Sequence, residues 1–172
     1  MNQQQTQSPK KQPRFETDLE IMPLSDGETW MVREDLVYYS AVLQQQVTVP
    51  SGFATDLASI PKLERIGGVL LLIAWIWRTV LDRNISTALA MIGFLLVFVA
   101  GSLKHYGRYT KAAVVHDWLY STQLVPRDLA DAVLWEAMQV TKTEWWKRWL
   151  IYKNVRRWGW GAWLLDRKKA KR

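Results

Sequence analysis

The stretch from Ile66 to Leu103 constrains this chain more than any other. Ile66 to Trp77 carries no charged residue, Arg78 interrupts, and Thr79 to Leu81 is apolar again. Asp82-Arg83-Asn84 reads as a polar turn, after which Ile85 to Leu103 runs for nineteen residues without a charge. At about 1.5 Å per residue, a helix of that length approaches the roughly 30 Å hydrocarbon thickness of a bilayer. The pattern predicts a transmembrane hairpin over residues 66–103. Its first arm either spans at a tilt or re-enters, with Arg78 reaching for the interface. The competing reading is a buried helical hairpin, but a chain of 172 residues offers little protein to wrap two helices that are apolar on every side.

Charge orients such a hairpin. Lys62, Arg65, Lys104, Arg108 and Lys111 flank it on one side, against Arg78 and Arg83 near its tip. The positive-inside rule then predicts a bacterial inner-membrane location with the soluble domain on the cytoplasmic side. The absence of cysteine excludes disulfides, thiolate metal sites and cysteine nucleophiles, and fits a reducing compartment. The net charge of +7 is concentrated at one end. Residues 142–172 hold eleven Lys or Arg against Glu144 and Asp166, a local +9 that leaves −2 for the rest.

Around the hairpin the pattern predicts an α+β domain. Residues 1–14 are polar and read as a disordered tail. Within 15–65, Thr29 to Arg33, Leu36 to Tyr39 and Gln46 to Val49 have the Trp, Val, Tyr and Thr content of short strands, forming one small antiparallel sheet. Pro50-Ser51-Gly52 ends the last strand, and Phe53 to Pro61 reads as an ordered loop. Residues 104–141 complete the domain with a helical pair, Thr110 to Tyr120 and Pro126 to Val140. Residues 142–172 form a basic, Trp-rich amphipathic helix and tail.

On the first helix of the pair, Ala113, His116, Asp117 and Tyr120 fall at i, i+3, i+4 and i+7, a single face. On the second, Asp131 shares a stripe with Leu134, Trp135 and Met138, so an acid points inward and needs a partner. The ring of His116 or the hydroxyl of Tyr120 can supply it. A His oriented by a carboxylate is the arrangement of a general base. The plainer reading is a satisfied core pair, His116 with Asp131, beside a solvated Asp117. Asp56 either caps a turn beginning at Leu57 or joins His116, Asp117 and Asp131 in an oxygen-rich metal site.

Three motifs, VPSGFATDLASIP (Val49 to Pro61), GRYTKAAVVHDWLY (Gly107 to Tyr120) and RDLADAVLWEAM (Arg127 to Met138), resemble those of an uncharacterised family of small phage and prophage proteins. The resemblance covers roughly residues 30–160 and implies that the apolar hairpin is an insertion between the loop and the His-Asp helix. The His-Asp-x-x-Tyr helix beside a helix with an inward Asp is also similar to the phospholipase A2 site. That resemblance implies that His116 activates a water, that Asp117 ligates Ca2+, and that Tyr120 and Asp131 hold the His. Of the glycine-rich calcium loop, only Tyr106-Gly107-Arg108-Tyr109 has a counterpart here.

Six tryptophans lie between Trp145 and Trp163, interleaved with Lys147, Arg148, Lys153, Arg156 and Arg157. Tryptophan favours the headgroup layer and arginine favours phosphate, so Trp145, Trp146, Arg148, Trp149, Arg156, Arg157, Trp158 and Trp160 are expected to contact anionic lipid headgroups of the bilayer. Core packing of Trp145, Trp149 and Tyr152 competes with this, and nucleic acid is a weaker alternative. Together these features predict a membrane-anchored, phage-encoded, phospholipase A2-like hydrolase with His116 as general base. The alternative is a non-enzymatic phage membrane protein serving assembly, superinfection exclusion or lysis, with a structural His-Asp pair.

Overall fold

The computed structural model describes residues 11–26, 29–57, 71–73, 75, 87–88, 90–95 and 107–169, with side chains to Leu164. Two units divide the chain: Met1–Ser59 with Arg108–Arg172, and Ile60–Gly107.

The first unit is α+β, with two small antiparallel sheets and helices. β1 (Arg14–Phe15), β4 (Leu36–Ser40) and β5 (Gln45–Val49) form one sheet in the order β1-β4-β5. β2 (Ile21–Pro23), β3 (Trp30–Val32) and β6 (Ala54–Thr55) form the other, in the order β2-β3-β6. One sheet was expected and two are present, because the segment read wholly as a loop after Gly52 returns to β3, pairing Trp30 with Thr55 and Met31 with Ala54. Gly52, at φ +83°, makes the turn that allows this, and its N–H donates to Val32 O. The rest of the expected loop, residues 58–61, lies outside the described residues.

The period-two alternation of β4 buries Leu36, Tyr38 and Ser40, and β5 adds Val47 and Val49 to the same core. Against this lie α1 (Thr110–Thr122), α2 (Arg127–Val140) and α3 (Trp145–Lys169). α1 packs on α2, α3 and β5. Its run Ala112, Ala113, Val114 and Val115 is therefore buried almost all round. It ends at Gln123, whose φ of +52° is left-handed and whose N–H donates to Leu119 O. Pro126 then caps α2 at a position where no backbone donor is needed, with Asp128 in the first turn.

The transmembrane hairpin and the inner-membrane location expected from it are corrected here. Among the described residues, no helix is long and apolar enough to cross a membrane. Within 66–103 the described residues are 71–73, 75, 87–88 and 90–95, and the rest of that segment, Arg78 included, lies outside the described residues. α3 spans about 37 Å at about 1.5 Å per residue, but Lys147, Arg148, Lys153, Arg156 and Arg157 make it too charged.

A buried acid that the sequence reading did not single out joins sheet to helix. Glu136 of α2 accepts hydrogen bonds from Tyr38 OH and Ser40 Oγ, each at 2.8 Å, and from the N–H groups of Ala41 and Val42 at 3.1 and 3.0 Å. It thus closes the β4-β5 turn against α2, and burial together with the Glu136 carboxylate pushes the Tyr38 hydroxyl well above its ordinary pKa. Truncation would orphan two hydroxyls and two backbone donors. Glu136→Ala should lower unfolding free energy by about 2–4 kcal/mol in urea titrations.

Candidate functional site

The site is built on facing turns of α1 and α2. Tyr120 lies one turn beyond His116 on α1, and their rings are 4.1 Å apart. Asp131 of α2 faces both. Its Oδ1 lies 3.2 Å from His116 Nε2 and accepts the Tyr120 hydroxyl at 2.6 Å. Its Oδ2 accepts Arg156 Nη1 of α3 at 3.2 Å and has Arg127 Nε at 3.7 Å. Asp131 has no exposed side-chain surface and His116 has 2 %, whereas Asp117 has 16 % and Arg156 has 45 %.

On the other side of the imidazole, Asp117 Oδ1 lies 3.8 Å from Nδ1. Asp117 Oδ2 accepts the hydroxyl of Thr55 at 2.5 Å, and the same hydroxyl accepts the N–H of Leu57 at 3.0 Å. Thr55 sits on β6 and is buried, and Leu57 is buried with a left-handed φ of +52°. The motif FATDLASIP therefore reaches the site through Thr55. Asp56, the residue expected to do so, is exposed.

Burial disfavours a charged His116, but the Asp117 and Asp131 carboxylates on either side outweigh it and hold the ring's pKa above the ordinary 6.5. For Asp131, burial alone would raise the pKa. Hydrogen bonds from His116, Tyr120 and Arg156 reverse the direction and keep it below 3.8. Tyr120 is pushed far up by burial and by the Asp131 carboxylate, so it serves as a hydrogen-bond donor. The arrangement is an imidazole between two carboxylates with its orientation fixed at Nε2.

Calcium takes six to eight oxygen ligands as a rule, several of them carboxylates. Here Thr55 occupies Asp117 Oδ2, and among the described residues no group of three or more His, Cys, Asp or Glu is placed to hold a metal ion.

The residues expected to touch lipid divide. Trp145, Trp149, Trp158 and Trp160 are exposed, whereas Trp146 is half-buried. Arg148 lies over the Trp135 ring at 5.4 Å, and Arg157 over Trp158 at 5.5 Å. Arg156 turns inward to Asp131. Of the tail residues expected to form core, Tyr152 packs on Trp135 at 5.3 Å.

A family described as proteins of unknown function, DUF1353, matches residues 30–67 and 78–155. The chain belongs to the DUF1353 family. Its matched segments contain the FATDLASIP loop, the His116-Asp117 helix and the Asp131 helix, and the interval between them is residues 68–77. No curated protein matches the chain, and no solved structure does.

Sequence reading missed Thr55, Arg127 and the inward role of Arg156. Arg127 had a local signal, since it stands four residues before Asp131 on the same helix. The other two depend on packing between distant segments.

Two outcomes follow for this DUF1353 member. The His116 pair contributes stability that is complete below pH 6.5 and is lost as pH rises through the higher folded pKa. Asp131 contributes stability complete above pH 3.8 and lost as pH falls through its lower folded value. The melting temperature should therefore be highest between these limits, and His116→Gln should flatten its alkaline fall in a calorimetric pH series. Separately, a Cβ at Gly159 of α3 would sit 2.9 Å from the Tyr120 hydroxyl, while one at Gly161 would meet nothing within 4 Å. Gly161→Ala should gain up to about 1 kcal/mol of helix stability, and Gly159→Ala should lose stability. Thermal melts of the two variants test the contrast.

Proposed function

We propose that this protein is an ester hydrolase of the phospholipase A2 kind, with His116 as general base. The carrying observation is that Asp131 Oδ1 serves both His116 Nε2 and the Tyr120 hydroxyl. Nε2 is thereby oriented, and in this reading proton transfer takes place at Nδ1, which faces Asp117. Of the His116, Asp117 and Asp131 side chains, Asp117 is the most exposed. The motif resemblance supports a phage or prophage origin and a phospholipid as the ester.

In this reading, neutral His116 accepts a proton at Nδ1 from a water as its oxygen attacks the ester carbonyl. Collapse of the tetrahedral intermediate breaks the bond to the alkoxide, which takes that proton from the imidazolium and leaves as an alcohol beside the new carboxylic acid. Asp131 stabilises the transient imidazolium, and Tyr120 keeps the Asp131 carboxylate turned toward the ring.

A second reading has its own support. His116 is 2 % exposed, lies between two carboxylates and favours its charged form, which also suits a permanent buried cation that locks α1 to α2 and β6. The protein would then be a non-enzymatic factor with a structural His-Asp pair.

Fatty-acid release separates the two. The full chain is incubated with mixed phosphatidylglycerol and phosphatidylcholine in detergent micelles, with calcium or with chelator, from pH 6 to 9.5. Hydrolysis should increase with pH, because the ring accepts a proton only once deprotonated, and the midpoint should lie above the ordinary 6.5. His116→Gln should cut the rate by about 10²–10⁴-fold. Release that survives this substitution refutes the base, and no release at any pH favours the structural cation.

A further inference from the structure

The α3 helix meets the His116 cluster at successive turns. Arg127 Nη2 donates to Val155 O at 3.1 Å and Arg156 O at 2.7 Å, pinning α3 at the residue whose side chain enters the site. One turn on, Gly159 lets the helix pass close to the Tyr120 hydroxyl. Further along, Gln123 Nε2 donates to Trp163 O at 2.7 Å, and the Trp163 ring stands edge-on to Tyr120 at 5.1 Å. The helix expected from its composition to lie on lipid thus forms one wall of the buried cluster.

The two oxygens of Asp131 are divided between two tasks. Oδ1 serves His116 and Tyr120, while Oδ2 faces the guanidinium groups of Arg127 and Arg156. A carboxylate held on one oxygen only is able to swing about its χ2 torsion, which is broad for Asp. Anchoring Oδ2 from a second helix removes that freedom and fixes the direction in which Oδ1 meets the imidazole. The same cation also draws on the negative charge that His116 would otherwise have to itself.

We propose that Arg156 is a positioning residue for His116: by binding Asp131 Oδ2 from α3, it sets the orientation of the imidazole and limits how tightly the ring holds its proton. Arg127 supports it from α2 by holding the α3 backbone at Arg156. This deepens the hydrolase reading where catalysis is concerned, but the control of His116 itself stands on the geometry alone. Among the described residues, the charged and titratable groups around the ring are Asp117 and Tyr120 of α1, Asp131 and Arg127 of α2, and Arg156 of α3, with Thr55 of β6 acting through Asp117.

The direction is definite. Removing the Arg156 cation leaves Asp131 a stronger attractor for the imidazolium, and removes a like charge from its vicinity. The proton on His116 should become harder to lose.

The test is an NMR titration of the His116 ring resonance in the full chain, carried out in a His105→Gln background so that one histidine is observed. Arg156→Gln should raise the midpoint by about half a pH unit or more. Arg156→Lys, which keeps the charge but not the planar fork, should return it most of the way. Lys153→Gln, which removes an exposed charge one turn away on the same helix, should move it by much less. Melting curves establish that each variant is folded. If Arg156→Gln disrupts the fold, Arg156→Met, which keeps the stem but not the charge, takes its place with the same expected and overturning results. An unmoved midpoint in Arg156→Gln, or equal shifts for Arg156→Gln and Lys153→Gln, overturns it. These outcomes are independent of hydrolysis. Were fatty-acid release absent, the titration result would still hold or fail by itself. Were release present, the pH profile should move in the same direction as the titration.

Discussion

A carboxylate with no exposed surface keeps its charge only if donors replace water around both of its oxygens. Asp131 meets that condition with groups from three helices: His116 and Tyr120 of α1, Arg127 of its own α2, and Arg156 of α3. The packing of the helices is therefore tied to a single acid. Gly159 must be small because the Tyr120 hydroxyl is already committed to Asp131 and close to Arg127 at 3.3 Å. Arg127 clamps α3 with the other end of the same guanidinium. Losing one donor would leave the buried carboxylate less compensated, a larger cost than losing one surface ion pair.

Glu136, less than two turns further along α2, repeats the principle on the sheet side. It faces β4 and the turn that follows, where two hydroxyls and two backbone N–H groups converge on its carboxylate. α2 thus carries two inward acids with different partners. Asp131 is compensated by cations and polar donors from helices, Glu136 by neutral donors from β4 and the turn that follows it. Only the first is linked to a group that titrates near neutrality, so only the first has chemistry available to it. Thr55 connects that chemistry to the second sheet, because β6 is held by β3 and its hydroxyl is held by Asp117.

What the sequence revealed depended on the range over which each signal acts. Helical spacing put His116, Asp117 and Tyr120 on one face, and an acid among apolar neighbours identified Asp131 as inward-facing, since both signals lie within one helix. Strand composition located Leu36 to Tyr39 and Gln46 to Val49 in the same way, and the alternation of the folded strands then buries Leu36, Tyr38, Val47 and Val49. The contact of Arg156 with Asp131 was not legible, because its charge and its tryptophan neighbours are those of an interfacial helix and its partner is 25 residues away. Thr55 pairs with an acid 62 residues away, and neither composition nor period carries such information. The 66–103 segment failed differently. Apolar content says that a segment avoids water, but a crossing also needs a helix of sufficient length, and among the described residues no helix has both properties.

The two readings of His116 rest on the same electrostatics. Carboxylates on both sides favour the imidazolium, which strengthens the cluster as a structural lock and delays its use as a base until the pH is higher. Both readings also need donors on each oxygen of the buried Asp131, and Oδ2 finds them in two guanidinium groups, one of them half-exposed on α3. What favours the proposed base over the buried cation is Oδ1, which serves His116 Nε2 and the Tyr120 hydroxyl together and so fixes the direction of the imidazole, as a general base requires.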